Sequence, residues 1–295
     1  MSVLRIEGLT KRYRSIIAVN KLDLEVPQGS VFGILGPNGS GKTTTLGIIL
    51  DIIRQDSGSY TWFEGRYGNR ARLKIGALLE TPNFYPYLNA VDNLKIIAHI
   101  KRVGYERFDE LLELVNLHHR RFSNFRTYSL GMKQRLAIAA ALVGDPDVLI
   151  FDEPTNGLDP QGIAEVRSTI LQIAATGKTI LMASHILDEV EKTCSHVGII
   201  KNGQLLASGT VGAILSDDIT IEIGADQPLE SLKALIVNHP LINRIEEGNG
   251  RLILNASADL STTSLNQLAF EHGITLNHLQ ARQKSLEAEF LEITQ

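Results

Sequence analysis

The sequence is poor in cysteine and in long hydrophobic runs. Its 295 residues include one cysteine, Cys194, which excludes an internal disulfide and a multi-cysteine metal cluster and is typical of a reducing compartment. It has no uninterrupted apolar run of the roughly 18 residues that a transmembrane helix needs. The first residues lack an apolar h-region, so we expect no secretion signal. These absences favour a protein of the cytoplasm.

An excess of positive charge is also missing. The net charge is −4, so the protein has no basic field to attract nucleic acid. Hydrophobic residues make up 43% and charged residues 21% of the sequence, which is typical of a globular protein. Residues 1–215 carry 24 basic and 21 acidic residues, whereas residues 216–295 carry 5 and 12. This shift follows a glycine-containing stretch and predicts a domain boundary near residue 215.

The first 215 residues have the pattern of an α/β domain. Short apolar runs such as SVFGILG, DVLIFDE and KTILMAS alternate with helical patterns, as in a mostly parallel sheet. N-terminal strand patterns precede them. Between about residues 89 and 143 the pattern becomes helical, with Asn89 as a candidate N-cap and Asp92 three residues later. We therefore predict an α/β core with N-terminal β strands and an inserted helical subdomain.

The last 80 residues have a different order of elements. Strand and helix patterns alternate as βαββαβ, and the sequence KSLEAEFLEIT predicts a final helix. Gly248, Asn249 and Gly250 form a hairpin signal between the second and third strands. This order predicts a small α+β domain of the ferredoxin-like type over residues 216–295.

A glycine-rich loop follows the SVFGILG strand and precedes a helix. It matches the pattern G-x-x-x-x-G-K-[ST], in which backbone N–H groups surround phosphates at a helix N-terminus. The lysine of such a loop reaches the β- and γ-phosphates, and its hydroxyl residue ligates Mg²⁺. A plain turn between strand and helix is the alternative reading. The matching residues are Gly36, Pro37, Asn38, Gly39, Ser40, Gly41, Lys42 and Thr43.

Two acids end the apolar strand VLIFDE. In open α/β sheets such residues project into the crevice where ligands bind. We predict that Asp152 holds Mg²⁺ through water and that Glu153 orients or deprotonates an attacking water. Alone, the pair is equally well explained as an acidic loop after a buried strand. The phosphate loop favours the functional interpretation.

Together these motifs resemble the nucleotide-binding subunit of an ATP-binding-cassette (ABC) transporter. GPNGSGKT is similar to the family's Walker A loop and LIFDE to its Walker B strand. YSLGM followed by KQR resembles the signature, NGLD resembles the D-loop, and ASH resembles the switch segment. The resemblance covers residues 1–215 in order. Within the family, the sequence is similar to exporters of the bacitracin and lantibiotic-immunity type. The closing helix of these exporters resembles SLEAEFLEIT.

The resemblance implies a Mg²⁺-dependent ATPase. It implies catalytic roles for Glu153 and His185, the latter at the γ-phosphate, and it implies metal contacts for Thr43, Asp152 and Glu80. Beyond the phosphate loop itself, the ATP contacts that it implies are Tyr13 (stacked on adenine), Thr44, Ser129, Gly131 and Asp159.

Two departures from the family pattern bear on turnover. The signature has Leu130 and Met132 where the family has glycine and glutamine, which restricts the backbone. Glu80 occupies the position of the Q-loop glutamine and adds negative charge near the triphosphate. We expect these changes to affect the rate of ATP hydrolysis and its coupling to transport rather than the reaction itself.

The resemblance also implies partners. Ser129 would serve the ATP of a second subunit, so that a homodimer, or a pair with another ABC subunit, closes head-to-tail. Separate transmembrane permease subunits would hold the protein at the inner face of the membrane, with the loop Glu80–Leu88 as the docking site. A non-transport ABC ATPase, acting as a nucleotide-dependent switch, is the alternative. No nucleic-acid partner is expected.

The sequence allows two interpretations for each of two surface features. The loop of residues 81–88 contains Phe84, Tyr85 and Tyr87 among prolines, and it fits an ordinary packed loop as well as a landing site for another protein. Residues 66–74 contain four basic side chains, which favour a solvated face over contact with anionic headgroups.

Overall fold

A computed structural model describes residues 1–79, 81–215, 218–248, 250–283 and 286–294. The contacts between residues divide the chain into two compact units, Met1–Val211 and Gly212–Ile293. Among the described residues, no helix combines the length and the apolarity that crossing a bilayer requires.

The first unit contains two sheets. Its strands are β1 (Ser2–Tyr13), β2 (Ile16–Pro27), β3 (Val31–Leu35), β4 (Ser57–Trp62), β5 (Ile75–Leu78), β6 (Val148–Asp152), β7 (Thr179–Ser184), β8 (His196–Lys201) and β9 (Gln204–Thr210). The main helices are α1 (Lys42–Ile49), α2 (Ala90–Lys101), α3 (Phe108–Leu114), α4 (Leu130–Leu142), α5 (Pro160–Ala175) and α6 (Leu187–Thr193).

The central sheet has the order β5-β6-β7-β3-β8-β9. Its first five strands are parallel and β9 pairs antiparallel with β8. Every residue of β3, β6 and β7 is buried, which explains why their sequences are continuously apolar rather than alternating. Because β6, β7 and β3 are neighbours and parallel, their carboxyl ends meet at one edge of the sheet.

A second, antiparallel sheet has the order β2-β1-β4. Side chains alternate between buried and exposed over residues 4–7 of β1 and residues 22–26 of β2, and the buried apolar ones join the core around α1. The helices α2, α3 and α4 follow β5 and precede β6, although those two strands are paired, so they are an insertion between adjacent strands. Asn89 caps α2 as expected, because its side chain accepts a hydrogen bond of 2.9 Å from the amide of Asp92.

The elements after β9 are α7 (Val211–Ile214), β10 (Asp218–Ala225), α8 (Leu229–Ile236), β11 (Ile242–Gly248), β12 (Arg251–Ser257), α9 (Thr262–Glu271), β13 (Leu276–Gln283) and α10 (Leu286–Thr294). The second unit is built around one antiparallel sheet of order β11-β12-β10-β13. Buried side chains of β10 and β12 pack against α8 and α9, as in Ile221, Leu254, Leu232 and Leu265. The βαββαβ order is therefore present, and the predicted fold class is confirmed.

Candidate functional site

The phosphate loop lies between β3 and α1 and is confined by its neighbours. Gly41 has a left-handed backbone (φ 107°), and a Cβ there would lie 2.3 Å from the carbonyl oxygen of Ala18. A Cβ on Gly36 would lie 2.2 Å from the carbonyl oxygen of Ile200. Only glycine fits at these two positions, so the backbone of the loop is held close to β2 and β8.

Two polar side chains of the loop are buried. Nζ of Lys42 donates to the carbonyl oxygens of Gly36 (2.8 Å) and Pro37 (3.3 Å). Oγ of Ser40 is buried with no hydrogen-bond partner among the described residues. An orphaned hydroxyl, an ammonium group and the free N–H groups at the start of α1 form a donor set that fits a triphosphate.

Three side chains from separate parts of the sequence meet at the edge of the central sheet. Oε1 of Glu153 lies 3.4 Å from Nζ of Lys42, and Oε2 lies 2.8 Å from Nδ1 of His185. Glu153 follows β6, Lys42 follows β3, and His185 follows β7. Glu153 itself has a left-handed backbone (φ 49°), and its amide donates to the carbonyl oxygen of Ala183.

A cavity of about 320 Å³ opens beside these residues. Thr43 and Asp152 both line it, so a hydroxyl and a carboxylate, the oxygen donors that Mg²⁺ prefers, share one space. Sequence reasoning did not assign Gln134 or Asn156 to the site. The motif resemblance included both positions, but only the structure brings them to the cavity. The complete lining is Thr43, Thr81, Pro82, Leu130, Gln134, Asp152, Glu153 and Asn156.

Tyr13 ends β1 and is 45% exposed. Its backbone pairs with Ile16 at the start of β2, and two residues later Ala18 contacts Gly41 of the phosphate loop. The structure thus carries Tyr13 on the hairpin that borders the loop, which is compatible with its predicted contact to the base.

Ser129 and Asp159 cap helices. Oγ of Ser129 accepts from the amide of Met132 (3.3 Å) at the start of α4, and Oδ1 of Asp159 accepts from the amide of Gly162 (2.9 Å) at the start of α5. Ser129 is exposed and Gly131 half-buried. A Cβ on Gly131 would meet only ordinary van der Waals contacts, so α4 does not need glycine there for space.

The signature residues that depart from the family pattern are partly packed. Leu130 lines the cavity and lies against Gly157, yet it keeps 46% of its surface exposed. Tyr128, just before the cap, is buried and donates to the carbonyl oxygen of Arg120 (2.8 Å). Its burial raises the pKa of the phenol.

The other predicted contacts have simpler surroundings. Pro37, Asn38 and Gly39 form the exposed tip of the phosphate loop, and Thr44 is half-buried in the first turn of α1. Glu80, the predicted Q-loop residue, lies outside the residues that the structure describes.

Known proteins match this chain over its whole length. The profile of the family described as ABC transporter matches residues 19–156. An uncharacterized ABC transporter ATP-binding protein of Bacillus subtilis strain 168, YdbJ, is 36% identical over 99% of this chain and 95% of its own length. The bacitracin transport ATP-binding protein BcrA of Bacillus licheniformis is 44% identical over 70% of this chain and 69% of its own.

A solved structure agrees with the fold of the first unit. An ATP-binding cassette of an ABC transporter, in its ADP conformation, superposes with a TM-score of 0.66 at 26% identity and covers 74% of this chain and 96% of the other. The chain belongs to the ATP-binding proteins of the ABC transporter family. It is an ATPase that uses ATP with Mg²⁺, and the predicted resemblance is confirmed.

Proposed function

We propose that this chain hydrolyses ATP to power the export of an antibiotic, a peptide or another hydrophobic compound through separate permease subunits. The observation that carries the proposal is the convergence of Lys42, Glu153 and His185 beside the phosphate loop in a chain 44% identical to a bacitracin transport ATP-binding protein. Within the cell, we place the protein at the inner face of the membrane, where a permease would hold it.

The proposed chemistry follows from the charges at the site. Glu153 orients a water molecule toward the γ-phosphate and accepts its proton, while His185 holds the Glu153 carboxylate and contacts the γ-phosphate. Lys42 leaves its loop carbonyls to contact the β- and γ-oxygens. Thr43 and Asp152 would hold Mg²⁺, which would supply positive charge to offset the charge that develops on the phosphates.

A second subunit would complete each site. Ser129 lies exposed at the N-terminus of α4, where the first amides have no partner within the helix and the helix dipole favours an anion. We propose that Ser129 and Gly131 contact the ATP of a second cassette in a head-to-tail dimer, and that Asp159 lies at the same interface.

The loop of residues 81–88 is the proposed docking site for a permease helix. Asn93 fixes the loop, because its side chain accepts from the amide of Tyr85 (2.9 Å) and donates to the carbonyl oxygen of Tyr85 (3.2 Å). Tyr85 and Tyr87 remain 49% and 65% exposed with their rings 5.8 Å apart. Two adjacent, exposed aromatic rings on a loop with a hydrogen-bonded backbone are typical of an interface anchor.

Export can be tested in the host cell. A strain without this gene should become more sensitive to at least one peptide antibiotic in a panel that includes bacitracin. The wild-type gene should restore tolerance, whereas the Glu153→Gln variant, produced at the same level, should not. If tolerance to every antibiotic is unchanged while the purified protein hydrolyses ATP, the ATPase assignment stands and the proposed cargo is wrong.

A further inference from the structure

The end of β1 holds an ion pair that the ATPase chemistry does not use. Nζ of Lys11 lies 3.1 Å from Oδ1 of Asp56 and 5.5 Å from the centroid of the Tyr13 ring. Only 15% of the Lys11 side chain is exposed, which is unusual for a lysine. The ammonium group contacts both a carboxylate and an aromatic face, while most of the side chain that carries it is covered.

Asp56 also fixes the backbone at this point. The register between β1 and β2 shifts at Lys11 and again at Arg12, as at a β-bulge. The amide of Arg12 donates to Oδ2 of Asp56 (2.6 Å), and the amide of Asp56 donates to the carbonyl oxygen of Thr10 (2.9 Å). A bulge redirects the side chains that follow it, and here the carboxylate stabilises the bulge immediately before Tyr13.

The charge state of Asp56 agrees with this arrangement. The hydrogen bonds from the Arg12 amide and the Lys11 ammonium lower the pKa of its carboxyl group. Asp56 therefore stays ionised at neutral pH and keeps both contacts.

We propose that Lys11 and Asp56 are positioning residues that hold the Tyr13 ring ready for the base of a nucleoside triphosphate. The inference rests on the proposed contact between Tyr13 and adenine. Lys11 occupies one face of the ring and Asp56 fixes the backbone beside it, so the ring loses less conformational freedom when a base binds. The two residues act on the base end of the nucleotide, far along the ligand from the reacting phosphate.

Binding of two ligands by the full-length protein tests this role. Calorimetry would compare ATP with inorganic tripolyphosphate, which has a triphosphate but no base, for Asp56→Ala and Lys11→Met. We expect ATP affinity to fall about three- to tenfold, the range for losing one cation–π or ordering contact, while tripolyphosphate affinity is unchanged. The KM for ATP should rise equally and kcat should stay constant.

Two controls separate this role from a general effect on folding. Glu25→Ala removes an exposed ion pair with Arg5 on the same sheet and should alter the affinity of neither ligand. Asp56→Asn keeps an acceptor for the Arg12 amide. Its ATP affinity should therefore fall only by the part that is due to the ion pair with Lys11. An equal loss of affinity for ATP and tripolyphosphate in Asp56→Ala would overturn the inference.

A double substitution tests the route through Tyr13. In a Tyr13→Ala background, Asp56→Ala should weaken ATP binding no further, because the ring that it positions is absent. Additive losses would contradict the positioning role. If Tyr13→Ala alone leaves the preference for ATP over tripolyphosphate unchanged, the proposed stacking of Tyr13 on adenine is wrong. The positioning role of Lys11 and Asp56 is then wrong as well.

Discussion

Oε2 of Glu153 lies 2.8 Å from Nδ1 of His185, while the other oxygen of the same carboxylate lies 3.4 Å from Nζ of Lys42. One carboxylate thus contacts residues that follow β3 and β7, while it follows β6 itself. This arrangement makes Glu153 the first residue to test.

Glu153→Gln keeps the size and shape of the side chain but removes the base. We expect ATP binding to persist and phosphate release to fall at least about a hundredfold. Glu25→Gln, far from the loop on the N-terminal sheet, is the matched control and should hydrolyse ATP normally. Turnover of Glu153→Gln within about twofold of wild type would exclude Glu153 as the base.

Two glycines of the phosphate loop should tolerate alanine differently. Both are left-handed, with φ of 107° at Gly41 and 81° at Gly39, so each substitution strains the backbone. A Cβ at Gly41 would also meet the carbonyl oxygen of Ala18, whereas a Cβ at Gly39 has nothing within 4 Å. We expect Gly41→Ala to abolish measurable ATP binding and Gly39→Ala to weaken it moderately. Calorimetry would check this, and equal affinities would contradict it.

Dimerisation should depend on ATP. The Glu153→Gln protein, which retains ATP, should sediment as a dimer in ATP with Mg²⁺ and as a monomer without nucleotide. Adding Ser129→Phe should keep it monomeric, because the exposed cap of α4 would meet the second subunit. Ser168→Phe, at an exposed position of α5, is the control. Dimers that form equally well with Ser129→Phe would argue against the shared site.

An ion pair between a buried arginine and a half-buried glutamate joins the signature helix to the next helix. Nη2 of Arg135 in α4 lies 3.1 Å from Oε2 of Glu165 in α5, and the Arg135 side chain is only 8% exposed. Glu165→Ala would leave this buried guanidinium without its carboxylate, so we expect a loss of about 2–3 kcal/mol in the free energy of unfolding.

Urea unfolding at neutral pH would measure that loss. Glu25→Ala breaks an exposed pair, whose side chains are more than half exposed, and should cost no more than about 0.5 kcal/mol. If the two variants are equally stable, the Arg135–Glu165 pair contributes no more than a surface pair.

A shortened chain of residues 1–215 should fold and bind ATP, because every predicted nucleotide contact lies before that point. We predict that residues 216–295 carry out no chemistry and instead affect self-association or permease binding. Circular dichroism and calorimetry would check the fold and the ATP affinity. A folded chain that cannot bind ATP would mean that the C-terminal residues complete the nucleotide site.

Motifs whose residues are close in sequence could be predicted without the structure. The phosphate loop, the acids after VLIFDE and the Asn89 cap depend on neighbours within a few residues, so the sequence alone specifies them. The apolar strands β3, β6 and β7 could also be predicted, because strands buried on both faces are continuously apolar.

Strands with little burial were missed. The strand β4 has one buried residue, and β9 has none, so neither has a strong apolar signal. The glycine-containing stretch that precedes the predicted domain boundary contains β9 and α7. The position of β4 depends on its pairing with β1, which is distant in sequence, whereas β9 pairs with β8, which it follows after a short turn.

The tertiary structure decided which residues meet. The sequence separates Lys42, Glu153 and His185 by many residues, and nothing in their local patterns gives the distances between them. The strand order β6-β7-β3 does so, because parallel neighbours bring their carboxyl ends to one edge. The same holds for Lys11 and Asp56, which only the pairing of β1 with β4 brings together. The sequence alone specifies motifs whose residues are neighbours along the chain. Distances between residues on different strands depend on the order of the strands in the whole sheet.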